Sequence, residues 1–214
     1  MERLYDMIVI GGGPAGYTAA LYAARSGLSV VVLEKLSAGG QMALTEQIDN
    51  YPGFEDGIDG FTLGEKMQQS AERFGAVTEL AEVYKASLSG RIKTLDTSEG
   101  VFQSRTVVIA TGASPRPLGI PGEDTLTGKG VHYCAACDGV FISVGRAPAT
   151  ELLRNELALD KSGYIIADES TRTSIPGVFA VGDVRTKALR QVVTAVSDGA
   201  VAVHYAEEYL AENR

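Results

Sequence analysis

The sequence is short of positive charge: 19 lysines and arginines face 27 aspartates and glutamates, for a net charge of −8. That balance argues against nucleic acid or an anionic membrane as a general partner. An anionic cofactor stays compatible with it, because helix amides bind anions locally. No apolar stretch approaches the ~20 residues of a membrane span. The short N-terminal apolar run is flanked by Glu2 and Asp6 and does not read as a secretory signal. Cysteine occurs only at positions 134 and 137. Without a secretory signal, that spacing points to redox use in a reducing cytoplasm rather than to a structural staple. There is no Gly-x-Ser-x-Gly elbow to support hydrolysis.

Glycine, by contrast, is plentiful at 25 of 214 residues, with no collagen period and no low-complexity tract. Such glycines mark tight turns and places where backbone must approach something closely. The most informative group is Gly11-Gly12-Gly13-Pro14-Ala15-Gly16, set between an apolar run at 7–10 and a helical pattern at 17–26. A second apolar run, 29–33, ends at Glu34. Gly11 permits the tight turn, Gly13 lets backbone reach a pyrophosphate, and Gly16 allows close helix–strand packing. Glu34 is placed to meet ribose hydroxyls, and Pro14 suits the first helical position; the plainer readings are a glycine-rich turn and a solvated strand end. The pattern is that of a βαβ nucleotide-binding unit.

The rest of the chain continues in the same α/β style. A Gly39-Gly40-Gln41 loop and an Asn50-Tyr51-Pro52-Gly53 turn precede a helix over 61–74 ending at Gly75. Residues 77–103 read as an antiparallel meander, and 106–111 as a buried strand. Strands are expected at 140–144, 164–167 and 178–181, and a final helix at 191–210. No second Gly-x-Gly-x-x-Gly with its own helix and acid is present.

Three further groups can carry chemistry. Gly182-Asp183 closes a small apolar strand, where ligands sit in open α/β sheets. An Asp there suits a hydroxyl such as ribitol better than a phosphate; its plainer role is a helix cap. Arg190-Gln191-Val192 opens the last helix, whose free amides favour negative charge on a bound ring; an ordinary amphipathic helix start is the alternative. Cys134-Ala135-Ala136-Cys137-Asp138 permits a disulfide that opens and closes with little backbone motion, and Asp138 could exchange a proton. A zinc half-site is the rival, but only His132 and His204 remain as further ligands; inert buried cysteines are another. His132 reads as a structural neighbour of the pair, and His204 as a packing residue of the last helix.

Taken together, residues 11–16, 39–42, 50–53, 110–112, 134–139, 173–183 and 190–191 resemble the low-molecular-weight (prokaryotic-type) thioredoxin reductase family of flavoproteins, in the family's order and over nearly the whole chain. The resemblance implies a Rossmann-like FAD-binding fold with a parallel sheet, an antiparallel meander and a C-terminal helix. It implies FAD held by Gly11, Gly13, Pro14, Ala15 and Gly16, with Glu34 on the adenosine ribose and Lys35 beside it. Gly40, Gln41 and Asn50 would lie toward the flavin, Ala110, Thr111 and Gly112 along the cofactor, Gly182 and Asp183 at the ribityl chain, and Arg190, Gln191 and Val192 at the pyrimidine edge. Cys137 would face the flavin, Cys134 would attack a thioredoxin-like disulfide protein, and Asp138 would be the acid–base group. A homodimer is implied as well.

The departure from the family pattern is equally informative. In this family an NADPH domain on the order of 100 residues separates the Cys-x-x-Cys-Asp-Gly segment from the next flavin-domain strand. Here Gly139 runs straight into Val140. Arg146 stands where the family often has histidine, and Ala149 where it often has asparagine. The expected organisation is therefore a first FAD-domain segment at 1–118, a remnant carrying the cysteines at 119–139, and a second FAD-domain segment at 140–214. The FAD cradle should persist and NADPH binding in the family's manner should be lost. Three activities remain open: a reductase driven by another flavoprotein, ferredoxin or free dithiols; a dithiol oxidase; and a truncated or engineered FAD-binding, dimerising module without turnover.

Overall fold

The two apolar runs and the glycine loop fold as β1 (Leu4–Ile10), α1 (Pro14–Arg25) and β2 (Val30–Glu34), with β1 and β2 parallel. The computed structural model describes residues 4–127, 129–133 and 140–213. α2 (Gly60–Glu72) follows, started by Asp59, whose side chain accepts the Thr62 amide in a standard cap. Then come β3 (Val77–Leu80), β4 (Val83–Ser87), β5 (Lys93–Thr97) and β6 (Gly100–Ile109).

One seven-stranded sheet holds these together in the order β3-β2-β1-β6-β5-β4, with β11 (Val178–Ala180) also on β6. The long strand β6 does two jobs. Its first half pairs antiparallel with β5, and its second half runs parallel to both β1 and β11. The meander expected over 77–103 is accordingly shorter: β4, β5 and β6 form it, while β3 joins the parallel part on β2. A four-residue run carries no mark of its direction, and the helix α2 before it makes a parallel crossover possible.

Strand alternation divides the core into two layers. Met7, Val9, Val30, Val32, Val108 and Phe179 face the helices, and Ile8, Ile10, Val31, Leu33, Val107 and Ile109 face the meander. On the helical side α1 lies against α4 (Val192–Glu212) through small residues, Ala15, Ala19 and Ala23 from one and Ala202 and Ala206 from the other. Small side chains let two helix backbones approach closely.

Smaller elements complete the chain: β7 (Ala113–Pro115), α3 (Glu123–Leu126), β8 (Val131–His132), β9 (Val140–Phe141) and β10 (Arg146–Pro148). The strand expected at 140–144 is thus two residues long. The one expected at 164–167 is not a strand. Its backbone bonds are split among neighbours instead, with the Ile165 amide donating to Val184 O and the Ile166 amide to Ala158 O. None of the described residues from 119 to 133 belongs to the hydrophobic clusters of either layer.

The edge of the sheet remote from the site is held by a polar clamp. Asp6 accepts the Ser29 amide at 2.9 Å, the Ser29 hydroxyl at 2.7 Å and Arg105 Nη1 at 3.0 Å. Burial pushes the Asp6 carboxyl up, but the Ser29 hydrogen bonds and the Arg105 charge outweigh it and hold the group below its ordinary 3.8. A carboxylate with a lowered folded-state pKa contributes stability that is complete above its unfolded value and is lost as pH falls through the folded one. Asp6→Asn should therefore flatten the acid limb of stability below about pH 4, read as urea midpoints against pH. An unchanged acid limb would remove the clamp from the account.

Candidate functional site

The carboxyl ends of β1, β2, β6 and β11 come level at one edge of the sheet, as the pairings of Ile10 with Leu33 and Ile109, and of Ile109 with Ala180, require. The chain leaves β1 toward β2 on one side and β6 lies on the other, so the crevice opens where the strand order reverses. A cleft of about 1090 Å³ lies along this edge. Gly11, Gly13, Pro14, Ala15, Glu34, Lys35, Gly40, Gln41, Asn50, Ala110, Thr111, Gly112, Gly182, Asp183, Arg190, Gln191 and Val192 all line it. Seven separate stretches of sequence are brought to one groove.

At the centre is the start of α1. Gly13 is its N-cap, with no side-chain cap, Pro14 is at the first helical position and no acid lies in the first turn. The first free amides and the positive end of the helix dipole are left for an anion. The glycines here do different things. A Cβ on Gly13 would meet nothing within 4 Å, because the space beside it is the cleft. A Cβ on Gly16 would lie 2.0 Å from Gly11 O, so Gly16 sets the helix–loop distance and does not line the cleft.

Glu34, at the end of β2, accepts the Gly12 amide at 2.5 Å and the Leu36 amide at 3.0 Å. The carboxylate is thereby fixed against the glycine loop. Lys35 pairs with Glu82 at the rim, 2.6 Å apart and largely exposed. The Gly40–Leu44 turn is a short 3-10 helix, and Gly39 donates to Gly12 O at 2.8 Å, tying it to the glycine loop. Asn50 donates to Gln191 Oε1 at 3.0 Å, so the 50–53 turn and the start of α4 meet across the groove.

The other wall is made by β7 and β10, an antiparallel ribbon. Thr111 Oγ1 donates to Ala149 O at 2.8 Å and closes its base. Burial raises the Asp183 carboxyl above its ordinary 3.8, while the positive Arg146, Lys187 and Arg190 work in the opposite direction. The Arg190 guanidinium lies 4.2 Å from the centroid of the Tyr164 ring and donates to Arg185 O at 3.2 Å. Gly182 has φ +72 and gives its amide to Asp198, so its contribution is the shape of the turn.

Cys134, Cys137 and Asp138 lie outside the described residues. Tyr133, immediately before them, donates its hydroxyl to Glu123, which also accepts the amides of Leu118 at 2.9 Å and Gly119 at 2.7 Å. That acceptance and the nearby carboxylate push the Tyr133 phenol up to about 12, the hydrogen bond being the larger cause. Val140 donates to Gly130 O and Ile142 to His132 O, both at 2.8 Å, so the two ends of the cysteine segment stand side by side. His204 is exposed on α4, 3.4 Å from Glu208, rather than packed inward.

Sequence reasoning missed the polar layer beneath the cleft. Arg185, Lys187 and Asp198 are all buried there and bonded together. The only signal was a basic pair, Arg185 and Lys187, shortly after Gly182-Asp183, and an acid among the small and apolar residues of the first half of the last helix.

Comparison with known proteins identifies the family. A model of the pyridine nucleotide-disulphide oxidoreductase family matches residues 5–139 and 135–199. Thioredoxin reductase of Listeria monocytogenes is 32% identical over 305 residues, covering 99% of this chain and 95% of that one. Thioredoxin reductase of Peptoclostridium acidaminophilum is 30% identical over 312 residues, covering 100% and 99%. The crystal structure of thioredoxin reductase from Streptococcus pyogenes superposes with a TM-score of 0.88 at 34% identity, covering 99% and 100%. At 214 residues this chain is shorter than those relatives. Sequence and fold thus agree that the chain belongs to the pyridine nucleotide-disulphide oxidoreductases, as a short member of the thioredoxin reductase family, whose cofactor is FAD.

Proposed function

We propose that this chain is an FAD-dependent thiol–disulfide oxidoreductase that exchanges electrons between the flavin and the Cys134–Cys137 pair, and that it does not take those electrons from NADPH in the family's manner. The observation that carries the first half is the cleft. Its uncapped helix start offers amides to a pyrophosphate, and the space beside Gly13 is clear for it. The groove runs on from Glu34 through Asp183 to the Asn50–Gln191 contact, so a long, bent ligand with a ribose, a polyol and a polar ring fits its residues.

In this reading Glu34 binds the adenosine ribose and the Ala15 amide, on the cleft beside Gly13, meets the pyrophosphate. Asp183 takes a ribityl hydroxyl, and the first amides of α4 face the pyrimidine edge. Bound FAD supplies two-electron exchange with a dithiol. Cys137 is the sulfur directed to the flavin, and Cys134 attacks the disulfide of a thioredoxin-like partner. Closing the pair to a disulfide releases two electrons and two protons, and Asp138, next to Cys137, is the group that accepts one of those protons.

The second half rests on length. The family match runs to residue 139 and starts again from 135, and the alignments extend over 305 and 312 positions against 214 residues. A long stretch of each relative therefore has no counterpart here. Placing that gap at 139–140 supports two FAD-domain segments, 1–118 and 140–214, joined by 119–139. The same shortness favours a second reading, an FAD-holding module without turnover.

Anaerobic titration separates these. The holoprotein is expected to lose its oxidised-flavin absorbance with a dithiol and to keep it with NADPH. Cys137→Ser should abolish the dithiol response. Bleaching by NADPH at catalytic rates would overturn the loss of nicotinamide docking, and silence toward both reductants would leave the module.

A further inference from the structure

The Asp198 carboxylate is 6% exposed and lines no part of the cleft, yet it gathers the elements that do. Its Oδ2 accepts the Gly182 amide at 2.8 Å, Arg185 Nε at 2.9 Å and Lys187 Nζ at 2.8 Å, and its Oδ1 accepts Arg185 Nη2 at 2.8 Å. Arg185, 1% exposed, continues to Thr186 O at 2.9 Å, and its own carbonyl receives Arg190. Lys187 reaches Thr194 O in the first turn of α4 at 3.2 Å. One buried carboxylate thus joins the turn carrying Asp183, the 185–190 connection and the start of α4.

Hydrophobic side chains would fill this position with less desolvation penalty, and a buried ionic group of this kind fixes geometry more than it adds stability. Its charges also matter to the cleft. Asp198 sits between two cations, and Asp183, which does line the cleft, responds to the charges of both Asp198 and Lys187. Removing Asp198 leaves Arg185 and Lys187 buried without their shared carboxylate, and takes an anion from beside Asp183; removing Lys187 takes a cation from beside Asp183.

We propose that Asp198 is a positioning residue for FAD: with Arg185 and Lys187 it holds the Gly182-Asp183 turn and the first turn of α4 in register for the cofactor, and it balances the charge felt by the flavin. This rests on the FAD reading of the cleft. Because reduction adds negative charge to the flavin, loss of a nearby anion should raise its potential and loss of a nearby cation should lower it.

The test compares wild type, Asp198→Asn and Lys187→Met as holoproteins. FAD affinity is measured by fluorescence on reconstitution, and the midpoint potential by equilibration with a reference dye. Asp198→Asn is expected to raise the FAD Kd about tenfold and to move the potential positive. Lys187→Met leaves the Arg185–Asp198 pair in place, should fold where the first variant does not, and should move the potential negative. Potentials that stay put or shift the same way in both, with only the unfolding midpoint reduced, would overturn the proposal and leave a structural brace. A wild type that takes up no FAD would overturn the cleft reading instead, and this inference with it.

Discussion

Gly13→Val should yield folded protein without flavin. The Gly13 backbone, at φ −79 and ψ −177, is open to any residue, and a Cβ there touches no protein atom within 4 Å. No protein atom opposes a Cβ at this position. The two methyls would project into the space in front of the first α1 amides, where a pyrophosphate must come within hydrogen-bonding distance. The expected loss is at least a hundredfold in FAD affinity, roughly 2.8 kcal/mol. Visible absorbance of the purified variant should vanish while far-ultraviolet circular dichroism and the cooperative melt of apoprotein remain. Gly13→Ala should fold equally well and weaken FAD by less. Full flavin occupancy in the valine variant would show that the cofactor lies elsewhere.

Gly199→Ala makes the opposite case. This glycine is in α4, where an added Cβ would sit 2.3 Å from Ala15 O, 2.9 Å from Ala19 N and 3.0 Å from Thr18 Cβ. All three belong to α1, and two of the contacts are with backbone, which cannot swing aside. The helices must separate, and the contacts of Ala15, Ala19 and Ala202 loosen together. A cost of about 3 kcal/mol is expected, at the upper end of overpacking. For a chain of this size that lowers the Tm by about 6–12 °C. A thermal melt within about 2 °C of wild type would show that the helix pair can relax. One methyl is thus predicted to be harmless at position 13 and severe at position 199.

The legible parts of the chain share one property: their function is written in consecutive residues. The run 7–10, the loop 11–16 and Glu34 specify β1, the start of α1 and the end of β2 with no help from elsewhere. Gln191 likewise stands at the N-cap of the last helix, where its side chain and that of Thr194 form a reciprocal capping box. What could not be read is pairing between distant residues. Val77 to Leu80 looks the same whether it lies parallel to β2 or antiparallel to β4. Ile165 has the pattern of a strand residue, but its amide and carbonyl are taken by residues 184 and 186. Asp198 carried little mark, because its partners Gly182, Arg185 and Lys187 reach it only after α4 packs down.

The ribbon of β7 and β10 sets Pro115 opposite Arg146 and Ala113 opposite Pro148. The chain therefore departs from the core and returns to it at one doorway two strands wide. Whatever hangs outside can be lengthened, pruned or exchanged without disturbing the register of any strand behind it, since closing a longer loop costs only a slowly growing entropy. The core is therefore expected to tolerate appendages of different size. A graft at this seam, from a few glycines to an entire foreign domain, is expected to leave the cleft intact.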